Sequence, residues 1–288
     1  MNICFITDNP ETAGHPVIGR ILQQLTLTHA VRLLDVAALT GDEAIVRENE
    51  HALADIYLLK SHTLQALEVA HHVEQRGALV VNSSASSLAC RDRILMAQRM
   101  KEAQLPFPQT WSFPSMKEML EQKSLLSRLS FPVIIKSRHS YRRDLVEKVQ
   151  SIEHLHALAA RCNREPFILQ EFVQGDSWDI KLWVIDDQTF GARRRTPLEA
   201  SASREDFPIP SENLPRAWRS IVLKIGRVFN LHLYGVDLIT TEQGPVVVDI
   251  NSFPGFRGVS GAASALISLI ERLVKTRQGA CRDFVERG

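Results

Sequence analysis

Short apolar runs alternate with helical patterns of apolar residues over roughly the first third of the chain. The runs predict four strands, at residues 2–7, 31–36, 56–59 and 78–81. Apolar residues at helical spacing predict helices at residues 16–27 and 63–75. Strands that alternate with helices predict a parallel sheet covered by helices, which is an α/β fold.

Polar residues follow the third and fourth predicted strands. Lys60, Ser61 and His62 come after one strand, and Asn82 comes after the other. Ligands of α/β proteins often bind at the carboxyl ends of parallel strands, so these residues form a hypothetical substrate site. The alternative is an ordinary loop role for each of them.

The rest of the chain predicts a mixture of helices and strands. Helical spacing predicts helices at residues 91–105, 115–129, 152–161, 216–230 and 262–274. Apolar or alternating runs predict strands at residues 133–136, 145–149, 167–173, 179–185 and 190–195. The strand at 167–173 is expected at a sheet edge. Residues 196–215 are polar and contain prolines, which predicts a loop.

Two β-branched apolar runs flank Glu242-Gln243-Gly244 and predict a β-hairpin, with Gly244 taking the backbone conformation that the loop needs. A three-residue loop places Asp237 opposite Asp249, and Asn251 shares the face of Asp249 because side chains alternate along a strand. The opposite face is predicted to be core and carries Val236, Leu238, Val248 and Ile250.

Asp237, Asp249 and Asn251 predict a metal site. Two carboxylates directly opposite each other repel, and partial burial makes an unpaired charge costly. A divalent cation removes this conflict, and a set of oxygen donors suits Mg²⁺. The alternative is a solvated hairpin with scattered acids. The glycine-rich turn that carries Arg257 after the strand is a suitable place for an anion.

Composition and charge are those of an ordinary globular protein. The 288 residues are 44% hydrophobic and 23% charged, and the net charge of +1 indicates neither a nucleic-acid nor a membrane partner. The four cysteines are far apart and form no metal-binding spacing, which favours free thiols in a reducing cytoplasm. The chain has no apolar run long enough to cross a membrane, and its first ten residues read as a strand rather than a signal peptide.

The hairpin resembles the metal hairpin of the ATP-grasp superfamily. Asp237 lies twelve residues before Asp249, and Asn251 is followed by Phe253-Pro254-Gly255. The pattern is similar to those of ribosomal-protein glutamate ligases, related amino-acid ligases and inositol trisphosphate kinases. It resembles the kinase version slightly more, because the ligases commonly have Glu at the position of Asp249.

This resemblance extends from about residue 90 to about residue 262. It implies an ATP-grasp fold with an N-terminal parallel α/β domain at 1–105, a small lobe at 106–174 and a C-terminal lobe at 175–288.

The resemblance also assigns roles to individual residues. It implies that Arg93 and Lys136 reach the phosphates of ATP, and a lysine within the apolar strand at 133–136 already indicates an anion partner. It implies nucleotide contacts for Gln170, Glu171, Phe172, Val173 and Asp179. It implies catalytic roles for Lys181, Arg193 and Arg195, three cations that can share one face of a hairpin.

Residues 137–144 depart from the pattern of the family. The ligases have a glycine-rich flap here, whereas this loop has no glycine and carries Arg138, His139, Arg142 and Arg143. One hypothesis is that these side chains hold the triphosphate by charge-assisted bonds. Another is that they bind a second, anionic substrate.

The function that the resemblance implies is ATP-dependent ligation of a carboxylate to an amine through an acyl phosphate, on an amino acid, a peptide or a related small molecule. The alternatives are a kinase of an inositol-phosphate-like acceptor and a nucleotide-binding protein without turnover. The implied cofactors are ATP and Mg²⁺, with Mn²⁺ as a substitute. The implied partners are small molecules, with a homo-oligomer as a further option.

Overall fold

The computed structural model describes residues 1–141, 144–162, 166–176, 178–195 and 206–285, except the side chains of Pro10 and of 280–285. Within these ranges the strands form three sheets. The mixture of a parallel sheet with antiparallel sheets and covering helices confirms the predicted fold class.

The first sheet is parallel, as the sequence predicts, with the strand order β2-β1-β3-β4. Its strands are β1 (Asn2–Thr7), β2 (Ala30–Asp35), β3 (Ile56–Lys60) and β4 (Val80–Val81). The helices between them are α1 (Ile18–Thr26), α2 (Gly41–Asn49) and α3 (Leu64–Gln75). Sequence reasoning missed α2, although Thr40 and Glu43 form a capping box at its start that is a recognisable signal.

The second sheet is antiparallel and has the order β5-β8-β6-β7. Two helices precede it, α4 (Ser84–Arg91) and α5 (Arg93–Glu102). The remaining elements are β5 (Thr110–Phe113), α6 (Met116–Glu121), α7 (Lys123–Leu126), β6 (Val133–Ser137), β7 (Val146–Val149), α8 (Ile152–Arg161) and β8 (Phe167–Glu171).

Three predictions for this region need correction. The predicted strand at 167–173 lies inside the sheet rather than at its edge, because the unpredicted strand β5 pairs with its outer side. The predicted helix at 115–129 is two short helices, α6 and α7. The predicted helix at 91–105 is α5 alone, since Asp92 ends α4 and caps α5 with its side chain.

The third sheet has the order β11-β10-β9-β12-β13, and its neighbouring strands are antiparallel. Its elements are β9 (Trp178–Ile185), β10 (Gln188–Arg195), β11 (Asp206–Ile209), α9 (Arg216–Phe229), β12 (Leu233–Thr241), β13 (Gly244–Asn251) and α10 (Ala262–Val285). Sequence reasoning assigned β11 to a loop because of its proline, which an edge strand tolerates. No helix in the described ranges is both long enough and apolar enough to cross a membrane.

The first and third sheets share one hydrophobic core. Ile3 and Phe5 from β1 join Trp183 from β9 and Leu266 and Ile270 from α10 in a single buried cluster. The second sheet has a separate core. The three sheets lie within the predicted ranges 1–105, 106–174 and 175–288, although those domain boundaries remain a prediction. The ends of β1 and β3 lie beside the end of β13, since Asp8, Lys60 and Asn251 line one cavity.

Candidate functional site

The hairpin of β12 and β13 places Asp237 directly opposite Asp249, as predicted. The loop is shorter than expected, because Thr241 already pairs with Gly244. A β-bulge beside Asp237 compensates for the missing loop residue. Leu238 pairs with Val247, so Val248 has no partner in β12.

The bulge changes one predicted core position. Val248 is only half-buried, whereas Val247 is fully buried opposite Leu238. The prediction that Val248 belongs to the core is therefore wrong, because an extra residue in a strand reverses the alternation beyond it. The backbone of Gly244 has a φ of +116°, which confirms the need for glycine at that position.

Asp237 is the centre of a cluster of charges. Lys181 Nζ lies 2.7 Å from Asp237 Oδ1, and Arg194 Nη2 lies 3.5 Å from the same oxygen. Burial alone would raise the pKa of Asp237, but the charges of Lys181 and Arg194 hold that pKa below its usual value. Asp237 is therefore a carboxylate at neutral pH.

Arg193 and Arg195 do not lie on the face of Lys181, so the prediction that these three cations share one face of the hairpin is wrong. Lys181 pairs with Ala192, and alternation along β10 then brings Arg194 to the face of Lys181 and Asp237. Arg193 and Arg195 point the other way, where their guanidinium carbons lie 4.0 Å and 4.4 Å from the ring centroid of Trp178. Sequence reasoning missed Arg194 because face-sharing depends on the register of the hairpin.

Lys136 connects the second sheet to the third. It lies in β6, all five residues of which are buried, as the sequence predicts. Lys136 Nζ donates to the carbonyl of Val248, at a distance of 3.0 Å, at the bulge of β13. Burial lowers the pKa of Lys136, although the nearby carboxylates of Asp249 and Asp237 oppose this shift. The ammonium group thus lies beside the predicted metal ligands.

Arg93 is buried and paired within the protein. Its Nη1 donates to the carbonyl of Ser137 and lies 2.7 Å from a carboxylate oxygen of Asp144. A role for Arg93 in binding phosphate would therefore require it to exchange these partners or to act at a distance.

The loop after β6 is held by Asp92. Arg138 donates to the Asp92 carboxylate from Nε and Nη2, at 3.1 Å and 2.7 Å, and His139 Nε2 lies 3.5 Å from it. The two basic residues are thus engaged by an acid, which weakens the hypothesis that they hold the triphosphate. Arg142 and Arg143 lie outside the described residues.

Replacing Asp92 with asparagine is expected to lower the free energy of unfolding at pH 7 by about 1 kcal/mol, a magnitude reduced because Arg138 is partly exposed. Asparagine still caps α5, so the change removes mainly the charge. Burial would raise the pKa of Asp92, but the hydrogen bonds from Arg138 lower it overall. The stabilisation is therefore present above the ordinary carboxyl pKa and is lost as the pH falls through the folded-state pKa.

Urea denaturation of the parent and the Asp92→Asn variant at several pH values measures this effect. The matched control is Asp187→Asn, which changes an exposed acid in the turn between β9 and β10. A difference between the parent and Asp92→Asn that stays constant as the pH falls below the carboxyl range would contradict this account.

The predicted adenine segment lies at the end of β8. Gln170 is buried and donates from Nε2 to Thr110 Oγ1 at 3.0 Å, and the backbone nitrogen of Glu171 donates to the carbonyl of Gln109. Phe172 and Val173 follow the last residue of the strand. Elsewhere, Asp179 is buried in β9, two residues before Lys181 and on the same face.

A cavity of about 740 Å³ lies where the end of β3 approaches the end of β13. Lys60, Ser61 and His62 line it, together with Asn251. Lys60 Nζ also donates to the carbonyl of Phe253, at 2.9 Å, which fixes the turn after β13.

The structure contradicts the prediction that Asn82 belongs to the hypothetical substrate site. It is buried, and its amide oxygen accepts from the backbone nitrogen of His232 at 2.8 Å while its amide nitrogen donates to the carbonyls of Leu233 and Ser252. Asn82 therefore joins the first sheet to the third rather than facing the cavity.

The donor set fits a hard cation that keeps other ligands. Asp237, Asp249 and Asn251 offer only oxygen among the atoms that can bind a metal. Within the described part of the chain, no three His, Cys, Asp or Glu side chains form a metal-binding group, so Mg²⁺ would need the amide of Asn251 or other ligands. Phosphate oxygens are such ligands, which suits a site that forms together with a nucleotide.

Comparison with known proteins identifies the family. The model of the RimK-like ATP-grasp domain matches residues 90–273. The chain is 23% identical over 275 residues to human N-acetylaspartylglutamate synthase A, covering 88% of this chain and 70% of that protein. It is 27% identical over 236 residues to a probable alpha-L-glutamate ligase of Xanthomonas euvesicatoria, covering 76% and 77% of the two chains.

A similar fold occurs in the crystal structure of a RimK domain ATP-grasp protein from Sphaerobacter thermophilus. The two chains superpose with a TM-score of 0.70 at 18% identity, and the match covers 95% of this chain and 99% of that one. These findings confirm the predicted resemblance and the prediction of an ATP-dependent ligase that joins a carboxylate to an amine, and they favour it over the kinase alternative. The chain belongs to the RimK-like ATP-grasp family.

Proposed function

We propose that this protein phosphorylates a substrate carboxylate with ATP and then transfers the acyl group to the amine of an amino acid or peptide. The observation that carries the proposal is the convergence of charges on one face of the third sheet. Lys181 and Arg194 lie beside Asp237, and Lys136 reaches the same region from the second sheet. Anionic phosphates between these two sheets would meet all three cations.

Mg²⁺ would be held by Asp237, Asp249 and Asn251, and Mn²⁺ has the same preference for oxygen. When bound, the cation supplies positive charge to phosphate oxygens. Lys181 and Arg194 contact the carboxylate of Asp237. Beside Asp237 they would supply two further positive charges to the γ-phosphate during its transfer.

The reaction needs charge stabilisation more than acid–base catalysis. A carboxylate oxygen of the substrate attacks the γ-phosphorus of ATP, and the bond to the β-phosphate oxygen breaks to release ADP. The neutral amine then attacks the acyl carbon, phosphate leaves, and the amine loses its proton to solvent. Lys136, Lys181 and Arg194 are the residues that we assign to stabilising the negative charge of the phosphoryl group.

We place the adenine at the end of β8, where Glu171 completes the strand and Phe172 and Val173 follow it. An adenine ring needs apolar walls and a donor–acceptor pair. The ring of Phe172 supplies one apolar surface, and Lys148 Nζ lies 3.9 Å from its centroid.

The test is product analysis after incubation with ATP, Mg²⁺ and pooled amino acids. The expected products are ADP, phosphate and a ligated compound detected by mass spectrometry. A phosphorylated alcohol would instead support a kinase, and the absence of turnover would support a binding protein.

Variants of the arginines in β10 test whether Arg194 stabilises the transferred phosphoryl group. Replacing Arg194 with alanine is expected to lower kcat by about tenfold, the value of one charge-assisted bond. The matched controls are Arg193→Ala and Arg195→Ala, whose side chains lie on the opposite face against Trp178. Equal losses in all three variants would contradict the assignment of Arg194 to the transferred phosphoryl group.

A further inference from the structure

The cavity of about 740 Å³ has a lining whose charges predict the kind of substrate it takes. Among the described residues that line it, Lys60, Arg91 and Arg257 are cations and Asp8 is the only acid. The lining is therefore positive when its histidines are neutral. Arg91 Nε is buried and has no hydrogen-bond partner within the described part of the chain.

His15, at the wall of this cavity, has a defined tautomer. Its Nδ1 lies 3.3 Å from the backbone nitrogens of both Val17 and Ile18, at the start of α1. Backbone amides only donate, so Nδ1 must be the acceptor and must lack a proton. Burial, with the charges of Arg257 and Lys60, lowers the pKa of His15, which keeps the ring neutral. The single ring proton is therefore on Nε2.

The Nε2 atom of His15 faces a second donor. Arg257 Nε–H points at it over 3.3 Å and would donate to a bare Nε2, but Nε2 carries the ring proton because Nδ1 accepts from Val17 and Ile18. Two N–H groups that face each other without an acceptor repel. Arg257 is exposed and can turn, so an acceptor beside the pair could receive hydrogen bonds from both groups.

The approach of His15 depends on a glycine in the turn after β13. A Cβ atom on Gly255 would lie 2.8 Å from His15 Nε2, closer than such contacts allow. The turn therefore leaves room for the imidazole, which lies between the start of α1 and the turn after β13.

We propose that His15 and Arg257 form a carboxylate-binding subsite for the amino acid that supplies the amine. This inference rests on the proposed function. A carboxylate accepts from Nε2–H of His15 and from the guanidinium of Arg257, which removes the conflict between the two donors. The positive lining favours the same anion, and Asp8 supplies one negative charge for an ammonium group. The substrate class is an α-amino acid, or a peptide end, with a free carboxylate.

Long-range ¹H–¹⁵N NMR of the histidine side chains of the full chain tests the subsite directly. The expected free state has a protonated Nε2 and a bare Nδ1 at His15. Titration with acetate or L-glutamate is expected to shift the Nε2–H resonance saturably, whereas methylammonium chloride is not. Arg257→Gln is expected to weaken the response about tenfold or more, through loss of a charge-assisted bond.

The matched control is Arg20→Gln, which changes an exposed arginine on α1 outside the cavity lining. It should respond as the parent does. A proton on Nδ1, no saturable shift with either carboxylate, or a parent-like response in Arg257→Gln would each overturn the proposal.

Measurements of turnover distinguish a failure of this inference from a failure of the proposed function. If carboxylates shift His15 but no ligated product forms, the subsite stands and the proposed function fails. If Arg257→Gln ligates amino acids with the KM of the parent, the proposed function stands and the subsite fails. Arg257 is exposed, so the Arg257→Gln variant is expected to fold as the parent does.

Discussion

Replacing Asp249 with alanine is expected to lower kcat/KM for ATP by about 10²–10³-fold, the usual cost of removing one group that stabilises charge at a reacting centre. Asp249 lies directly opposite Asp237, so both carboxylates would hold the same cation. The loss of activity should not come with a large loss of stability, because relief of the repulsion between two acids offsets the lost attraction between Asp249 and Lys136.

The control for this variant is Glu242→Ala, which removes an exposed acid at the tip of the same hairpin. Steady-state kinetics in Mg²⁺ gives the activity, and urea denaturation gives the free energy of unfolding. An Asp249→Ala enzyme with near-normal activity would refute the metal assignment. A large fall in its unfolding free energy would show that Asp249 acts in the fold instead.

Replacing Lys136 with methionine is expected to weaken ATP binding by about 1.5–3 kcal/mol, the range for a hydrogen bond to a charged group. That is roughly a 10- to 150-fold rise in Kd. The side chain is buried in β6, and methionine has a similar length without the charge.

The free energy of unfolding of the Lys136→Met variant should rise or stay unchanged, although its affinity for ATP falls. Burial lowers the pKa of Lys136, so carrying the charge costs folding free energy at neutral pH, and this cost disappears only above the unfolded pKa. Methionine removes the cost, although the bond to the carbonyl of Val248 is lost as well. Lower affinity together with unchanged or higher stability would identify a residue kept for binding.

Calorimetry with ATP and urea denaturation measure these two quantities. Lys117→Met is the matched control, since Lys117 is an exposed lysine on α6, which packs against the second sheet that contains Lys136. If the two variants bind ATP equally well, Lys136 does not contact the nucleotide.

The sequence by itself determined the features that depend on short-range periodicity. The alternation of apolar strands and helices predicted the parallel first sheet, because a strand buried by covering helices must be apolar. A run of apolar residues predicted that Lys136 is buried. A separation of twelve positions along the predicted hairpin sufficed to place Asp237 opposite Asp249, although a bulge, rather than a longer loop, produces that register.

Tertiary structure alone decided which side chains meet across separate elements. The two-residue turn at Asp186 pairs Lys181 with Ala192, so Arg194 lies on the face of Lys181. One more residue in the turn would have brought Arg193 and Arg195 to that face instead. Asp92 contacts His139 and also Arg138, which lies 46 residues further along the chain. His15 contacts Arg257 across 242 residues. The physical reason is that side-chain alternation is local, whereas strand register and the packing of one sheet on another are set by contacts distant in sequence.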